Sequence, residues 1–329
     1  MRKITIREAL NEAMNEEMAR DERVIALGCD IGVRGGPFAV TRGLLDRYGE
    51  KRVWDTPISE ASFTGAGVGA AATGLRPIVE ILYSDWITLA MDQIVNMGAK
   101  MRYMFGGKVN MPLVIRAPFG AGNCYAAQHS QSFENWFNHV PGLKVVAPCT
   151  PYDMKGLLKA SIRDDNPVIF FEHKRAYAFK GDVPEAEEEY VVPIGKASVI
   201  KEGTDVTVVT YSYITTRVMN AVAQLEREEN VSVEVIDLRT IMPLDYETVM
   251  ASVRKTRRFV VVHEDNVRGG IGGDIIAEVI NRGYDDLKAP PLRVGGLNVP
   301  MPFNRGLENL VIPDEAKINA ALKRVLAYK

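Results

Sequence analysis

Cysteine is scarce in this sequence: Cys29, Cys124 and Cys149 are the only three in 329 residues, and they stand far apart without paired spacing. That scarcity excludes a disulfide scaffold and a zinc cage, and points to reduced thiols in a reducing compartment, for which the cytoplasm fits best. An excess of charge of one sign is also missing, with 40 Lys and Arg against 42 Asp and Glu. No basic stripe alternates with aromatics, so the attraction that drives nucleic-acid binding has no source. Nor is there an apolar, charge-free run of the roughly eighteen residues that a membrane-spanning helix needs. The opening residues Met1-Arg2-Lys3-Ile4-Thr5 lead directly into a helical pattern, with neither an apolar signal core nor an arginine- and serine-rich presequence, as expected of a cytoplasmic chain. Solenoid repeats and low-complexity tracts are absent too.

What is present is ordinary for a folded protein: hydrophobic residues make up 47%, charged residues 25%, and 28 glycines are scattered without a period, which excludes disordered and collagen-like chains. The length predicts two domains. Thr5 followed by Glu8 forms a capping box, and Ala9, Leu10, Ala13, Met14 and Met18 mark one apolar helix face behind it. Short apolar runs at 24–27, 53–54, 77–83, 113–117, 143–147 and 168–171 then read as buried parallel strands. Helical patterns separate most of them, including 85–103 and a second capped start at Thr150, Pro151 and Asp153. Such alternation predicts an α/β domain with helices on both faces of its sheet. From about 173 to 193 the pattern lapses into Lys180-Gly181-Asp182-Val183-Pro184 and an acidic run, which predicts a first domain at 1–178, a linker at 179–194 and a second domain at 195–329. In the second domain, strands at 206–211, 233–236 and 259–262 alternate with helices near 215–227, 246–256 and 272–282, and a last helix follows Asp314. Both domains are expected to be doubly wound α/β.

The segment Asp55-Thr56-Pro57-Ile58-Ser59-Glu60 ends a strand at its carboxyl edge, where α/β proteins bind ligands, and delivers Glu60 into a helix of small residues. By position alone, Glu60 could be only a partner of the helix dipole. Gly65-Ala66-Gly67-Val68-Gly69-Ala70, with Asp85 beyond, has the look of a dinucleotide fingerprint. That fingerprint needs its first glycine in the turn directly after the strand, whereas residues 59–64 intervene here, so these glycines are expected inside the helix. His129, one of four histidines, follows Gly120-Ala121-Gly122-Asn123 and lies between Gln128 and Gln131. Its imidazole can donate and accept protons near neutral pH, although a loop histidine can equally be satisfied by backbone. His263-Glu264-Asp265-Asn266 and the glycines from Gly269 to Gly273 match no common zinc spacing and read as a tight structural loop before a helix.

The Asp55–Glu60 segment, Gly74-Leu75-Arg76-Pro77, Met91-Asp92-Gln93-Ile94, residues 100–107, Ala127-Gln128-His129-Ser130-Gln131 and Pro141-Gly142-Leu143-Lys144-Val145-Val146 occur in one order. They are followed by Arg163-Asp164-Asp165-Asn166-Pro167, Asp237-Leu238-Arg239-Thr240 and Ile312-Pro313-Asp314, covering essentially the whole chain. Together they resemble the beta subunits of the thiamin-diphosphate-dependent 2-oxo acid and acetoin dehydrogenases, a transketolase-like family. The resemblance implies a pyrimidine-binding domain followed by a transketolase C-terminal-like domain. It gives Glu60 the task of hydrogen-bonding the cofactor's aminopyrimidine nitrogen, so that the ring itself can take the thiazolium proton. Ile58, Leu82, Tyr83 and Trp86 would surround the pyrimidine, with core packing as the plain alternative for the two aromatics. His129 would line the reactive face and assist acyl transfer to a lipoyl arm. Oxygens of Met111, Leu113, Val114, Ser161, Asp164 and Asn166 would hold a structural potassium ion.

Members of this family bind magnesium and the diphosphate through a Gly-Asp-Gly segment, hard oxygen ligands suited to that cation. This chain has none. The resemblance therefore implies a partner alpha subunit that holds the magnesium, an alpha2beta2 heterotetramer with shared sites, and docking of a lipoyl-bearing acyltransferase core on the second domain. The expected activity is oxidative decarboxylation of pyruvate or a branched-chain 2-oxo acid with reductive acylation of lipoyl (EC 1.2.4.-). Acetoin cleavage is the alternative, while a noncatalytic scaffold and an NAD-binding protein are the remaining rivals. Residues 102–108 resemble acetoin-type members and His263-Glu264 branched-chain ones, while Leu82 departs from the polar residue of some branched-chain members.

Overall fold

The computed structural model describes residues 1–328 and divides into two compact units, Met1–Phe119 with Trp136–Ile194, and Gly120–Asn135 with the chain from Gly195 onward. The first unit is built from β1 (Arg2–Thr5), α1 (Ile6–Arg20), β2 (Val24–Gly28), α2 (Leu44–Tyr48), β3 (Val53–Asp55), α3 (Glu60–Ala72), β4 (Arg76–Glu80), α4 (Ala99–Met104), β5 (Val114–Phe119), α5 (Glu134–Asn138), β6 (Lys144–Val146), α6 (Pro151–Arg163), β7 (Val168–His173) and β8 (Lys180–Val183), with the chain re-entering it inside α5. Its sheet strands run in the order β6-β7-β5-β4-β2-β3, all parallel. β2, β4, β5 and β7 are buried along their whole length, as strands covered on both faces must be.

Local chemistry sets the helices. Thr5 Oγ1 accepts from the Glu8 amide at 3.2 Å while the Glu8 carboxylate accepts from the Thr5 amide at 2.7 Å, the expected capping box of α1. Thr150 caps α6 with Pro151 in its first turn. α1 packs on α6, where the fully buried Lys155 and Lys159 reach Glu12, Glu16 and Glu189 at 2.6–3.0 Å. α3 approaches β4 so closely that a Cβ on Gly67 would lie 2.6 Å from Val79 Cγ2.

The second unit holds β9 (Ser198–Lys201), β10 (Val206–Thr210), α7 (Ile214–Glu228), β11 (Val233–Asp237), β12 (Thr240–Met242), α8 (Tyr246–Thr256), β13 (Phe259–Asn266), α9 (Gly272–Gly283), β14 (Leu292–Gly296), α10 (Arg305–Val311) and α11 (Glu315–Leu326). Its sheet has the order β14-β13-β10-β11-β9, parallel except for β9. Val208, Val222, Leu225, Val235, Val260, Ile318 and Leu322 form its core on one face. Both units are α/β as expected.

The segment between the expected domains is ordered: β8 pairs antiparallel with β1, Val183 is buried, Tyr190 stacks on Tyr152 at 4.7 Å, and Glu189 pairs with Lys159 and Arg163. Alternate apolar residues and specific ion pairs bind this polar stretch to the first unit. Residues 120–135, within the first domain by sequence, group with the second compact unit, where buried carboxylates take up their amides. The helix expected over 85–103 is instead a 3₁₀ helix (Ser84–Ala90), a π-helix (Gln93–Gly98) and α4. Gly98 is where the wider turn closes: a Cβ there would sit 3.4 Å from the Gln93 carbonyl, five residues back.

Candidate functional site

In the first unit, the carboxyl edge of the sheet gathers the segments that follow β2, β3 and β4. The Asp55 carboxylate, at the end of β3, accepts from the Gly32 amide at 2.7 Å and the Val33 amide at 3.1 Å, and the Thr56 amide donates to Gly28 O at 3.0 Å. These bonds tie the loop after β2 to the turn that delivers Glu60 as the first residue of α3. Glu60 is buried at 8% exposure, and among the described residues its carboxylate accepts no hydrogen bond. A carboxylate at a helix N-terminus is favoured by the dipole, and the Glu60 oxygens are not among the fully buried atoms that lack a partner, so they keep access to solvent. Beside it, the Cys29 thiol is pushed up by burial and by the carboxylates of Asp30, Asp55 and Glu60.

After β4 come Leu82, Tyr83 and Trp86, each half-buried. The Tyr83 ring meets Phe38 edge-on at 5.8 Å, Phe38 stacks on Tyr177 at 4.7 Å, and Lys174 Nζ lies 4.8 Å over Tyr83. α3 packs against the 3₁₀ helix that carries Trp86. Ile58, by contrast, is 81% exposed. Glu60 thus follows β3, and Leu82, Tyr83 and Trp86 follow β4, at the carboxyl ends of parallel strands of one sheet. Gly65, Gly67 and Gly69 lie inside α3, away from the strand-to-helix turn, so the dinucleotide geometry is absent at that turn.

Behind this edge, sequence reading missed a buried charge cluster. Arg116, fully buried in β5, is bidentate to Glu172 at 2.6 and 2.7 Å and also pairs with Glu80. The Tyr177 hydroxyl donates to Glu172 at 2.7 Å, linking the cluster to the ring that stacks on Phe38. The three charges come from neighbouring strands and carry no local sequence signal; only the register, which sets Glu80 opposite Arg116, makes the pairing visible.

The residues expected around potassium also lie together in the first unit. The Met111 amide donates to Asp165 O at 2.9 Å, Leu113 O accepts from Val168, Ser161 O accepts from Asp164, and the Asp164 carboxylate binds Lys144 and the Asn166 amide. Arg76 Nη2 already donates to the Asp164 carbonyl at 2.8 Å. Among the described residues no cluster of three or more His, Cys, Asp or Glu side chains suits a metal ion.

His129 lies in the second unit, half-buried, on the Gly120–Asn135 segment. Glu264 accepts from the Ala121 amide at 2.6 Å and Glu308 from the Gly122 amide at 2.7 Å, with Cys124 N at 3.2 Å from a Glu308 oxygen. Neither glutamate was singled out as a partner of this segment from sequence, since each is more than 140 residues away in the chain. His263 is fully buried, with Nδ1 3.0 Å from Asp265 O, and burial holds it down at about 4. Gly270, Gly272 and Gly295 press against its ring where no Cβ would fit, a packing constraint beyond the tight loop read from the sequence. Next to it, burial and the Glu264 charge push Asp265 up to about 7, while burial and the charges of Asp265 and Glu264 raise the fully buried Glu134 carboxyl, beside Tyr211, well above the usual carboxylate range.

The chain matches the transketolase pyrimidine-binding domain over residues 2–180 and the transketolase C-terminal domain over 195–318. It is 46% identical to the mitochondrial pyruvate dehydrogenase E1 component subunit beta of Dictyostelium discoideum, covering 98% of this chain and 91% of that one. It is 47% identical to the acetoin:2,6-dichlorophenolindophenol oxidoreductase subunit beta of Cupriavidus necator (99% and 98% covered) and 44% to the 2-oxoisovalerate dehydrogenase subunit beta of Bacillus subtilis (98% and 98%). A solved split-gene transketolase, an inactive beta4 tetramer, shares the fold with a TM-score of 0.80 over 99% of both chains at 22% identity. The chain belongs to the transketolase-like family of beta subunits of the 2-oxo acid and acetoin dehydrogenases.

Proposed function

We propose that this chain supplies the pyrimidine side of a thiamin diphosphate site in the first component of a 2-oxo acid dehydrogenase complex, and that a partner alpha subunit completes the site. The observation that carries this reading is Glu60: a carboxylate of a residue only 8% exposed, accepting no hydrogen bond among the described residues, at the carboxyl edge of the sheet from which Tyr83 and Trp86 also follow a strand. Such a group fits a flat heteroaromatic ring that offers one basic nitrogen. Bound there, thiamin diphosphate would supply a nucleophilic carbon for the substrate's carbonyl and a cationic ring as the sink for the electron pair left behind when carbon dioxide departs. Glu60 holds a proton against the ring nitrogen, Leu82, Tyr83 and Trp86 flank the ring and exclude water, and exposed Ile58 meets the cofactor from the rim. His129 moves a proton at the substrate end and assists acyl transfer to a lipoyl group, making the reaction an oxidation with a disulfide acceptor.

Magnesium is assigned to the alpha subunit, because no Gly-Asp-Gly segment is present to hold it. An alpha2beta2 assembly and an acyltransferase core docked on the second domain follow from the same reading. A potassium ion at the Met111, Leu113, Val114, Ser161, Asp164 and Asn166 oxygens would use the second lone pairs of carbonyls that already accept one hydrogen bond. The domain limits are proposed at residue 194, with 120–135 assigned to the second unit. The cytoplasm is the proposed compartment; no helix among the described residues is long and apolar enough to cross a membrane. Pyruvate or a branched-chain 2-oxo acid is the proposed substrate. Acetoin is the second reading, since an acetoin oxidoreductase subunit beta is among the similar proteins. The test is coexpression with the alpha subunit encoded alongside and an activity screen over these substrates, comparing wild type with Glu60→Gln. Loss of turnover with assembly intact is expected, and near-wild-type turnover of the variant rejects the role of Glu60.

A further inference from the structure

The segment carrying His129 is held by charge, not by apolar packing alone. Cys124 and Ala126 adopt left-handed backbone (φ 59° and 63°), which side-chain-bearing residues adopt only when their surroundings impose it. The amides just before that stretch converge on two acids. Glu308, 1% exposed on α10, accepts from Gly122 N at 2.7 Å and from Cys124 N at 3.2 and 3.3 Å. Glu264, 7% exposed in β13, accepts from Ala121 N at 2.6 Å. A turn of successive amides around a carboxylate is a strong, directional anchor, because each bond is charge-assisted and shielded from water. Farther on, Gly120 N donates to Gln131 O at 3.3 Å, closing the segment on itself, and Asn135 Nδ2 donates to the Gly269 carbonyl.

We infer that Glu308 and Glu264 are positioning residues for His129: by fixing the amides of residues 121–124, they set where the imidazole stands during acyl transfer. The inference rests on the proposed role of His129. Neither glutamate need touch substrate or cofactor. Removing an anchor frees the left-handed stretch, and a displacement of about 1 Å at a reacting group can cost on the order of 100-fold in rate. Glu308→Gln keeps one acceptor oxygen for two amides, whereas Glu308→Leu keeps none.

The experiment uses the complex with the alpha subunit and a lipoyl domain. It compares acyl transfer to lipoyl with turnover in the presence of an artificial electron acceptor, for wild type, His129→Ala, Glu264→Gln, Glu308→Gln and Glu308→Leu. Lipoyl transfer is expected to fall about tenfold or more in the anchor variants, in the order Gln before Leu at position 308, and by far more than turnover with the artificial acceptor. Hydrogen exchange should quicken at amides 121–124 while β10 and β13 keep their protection. If His129→Ala slows lipoyl transfer and Glu308→Gln does not, the inference fails and the role of His129 stands. If His129→Ala also transfers at the wild-type rate, both fail. Equal loss of both activities, with protection lost across β10 and β13, would mean a merely structural role and also overturn the inference. Should Glu308→Leu not assemble, the two Gln variants decide the matter.

Discussion

Buried carboxylates in this chain differ in how they are satisfied. Glu80 and Glu172 are satisfied by Arg116. Removing one partner of such a cluster strands the others without water, so Arg116→Met should destabilise the subunit by about 3–5 kcal/mol in chemical denaturation. Glu60 is 8% exposed, accepts no hydrogen bond among the described residues, and has no such counter-charge. Asp265 and His263 give a second test at this scale. Asp265 is raised to about 7 from 3.8, mainly by burial, so its contribution to stability falls as pH rises through that interval. His263 is lowered to about 4 from 6.5, again by burial, so its contribution falls as pH drops through its own interval. The two slopes oppose each other between pH 4 and 6.5. Asp265→Asn should therefore make stability rise more steeply with pH across that range than in wild type; melting temperatures across a pH series check it.

At the scale of elements, periodicity and caps made most strands and helices legible, because those signals are local. α8 begins and ends where its apolar spacing predicts, and the caps of α1 and α6 are the hydrogen bonds expected of Thr5 and Thr150. Thr150→Ala should cost about 1 kcal/mol by removing an amide acceptor. What sequence could not yield depends on distant partners. β1 and β8 are short and polar, and become strands only by pairing with each other across the first unit. Residues 120–135 join the second unit through Glu264 and Glu308, whose pairing no local pattern announces. Glu60 was legible through a motif and its helix start, but its lack of a partner was not. The small-residue helix α3 also carries a packing constraint: Gly67→Ala would bring a methyl within 2.6 Å of Val79 Cγ2. Overpacking of this kind typically costs about 1–3 kcal/mol, read as a lower melting temperature.

At the scale of the whole molecule, the proposed reading gives the chain one half of a site, with Glu60, Tyr83 and Trp86 toward the ring, and the sequence holds no Gly-Asp-Gly segment. Binding of cofactor and turnover should therefore be properties of the assembly with the alpha subunit and not of this chain by itself. The potassium proposal belongs here as well, since an ion at Asp164 would stabilise the fold by mass action; raising potassium over sodium should raise the melting temperature, and no difference would remove the ion.

The most direct measurement is a titration of alpha subunit into this chain with thiamin diphosphate, magnesium and 2-oxo acid present, following turnover and bound cofactor together. Activity should appear from zero and saturate at one alpha per beta, and with Glu60→Gln the same assembly should form and stay inactive. Turnover by this chain alone, or full activity of the variant assembly, would contradict the claim that Glu60 serves a cofactor shared across subunits.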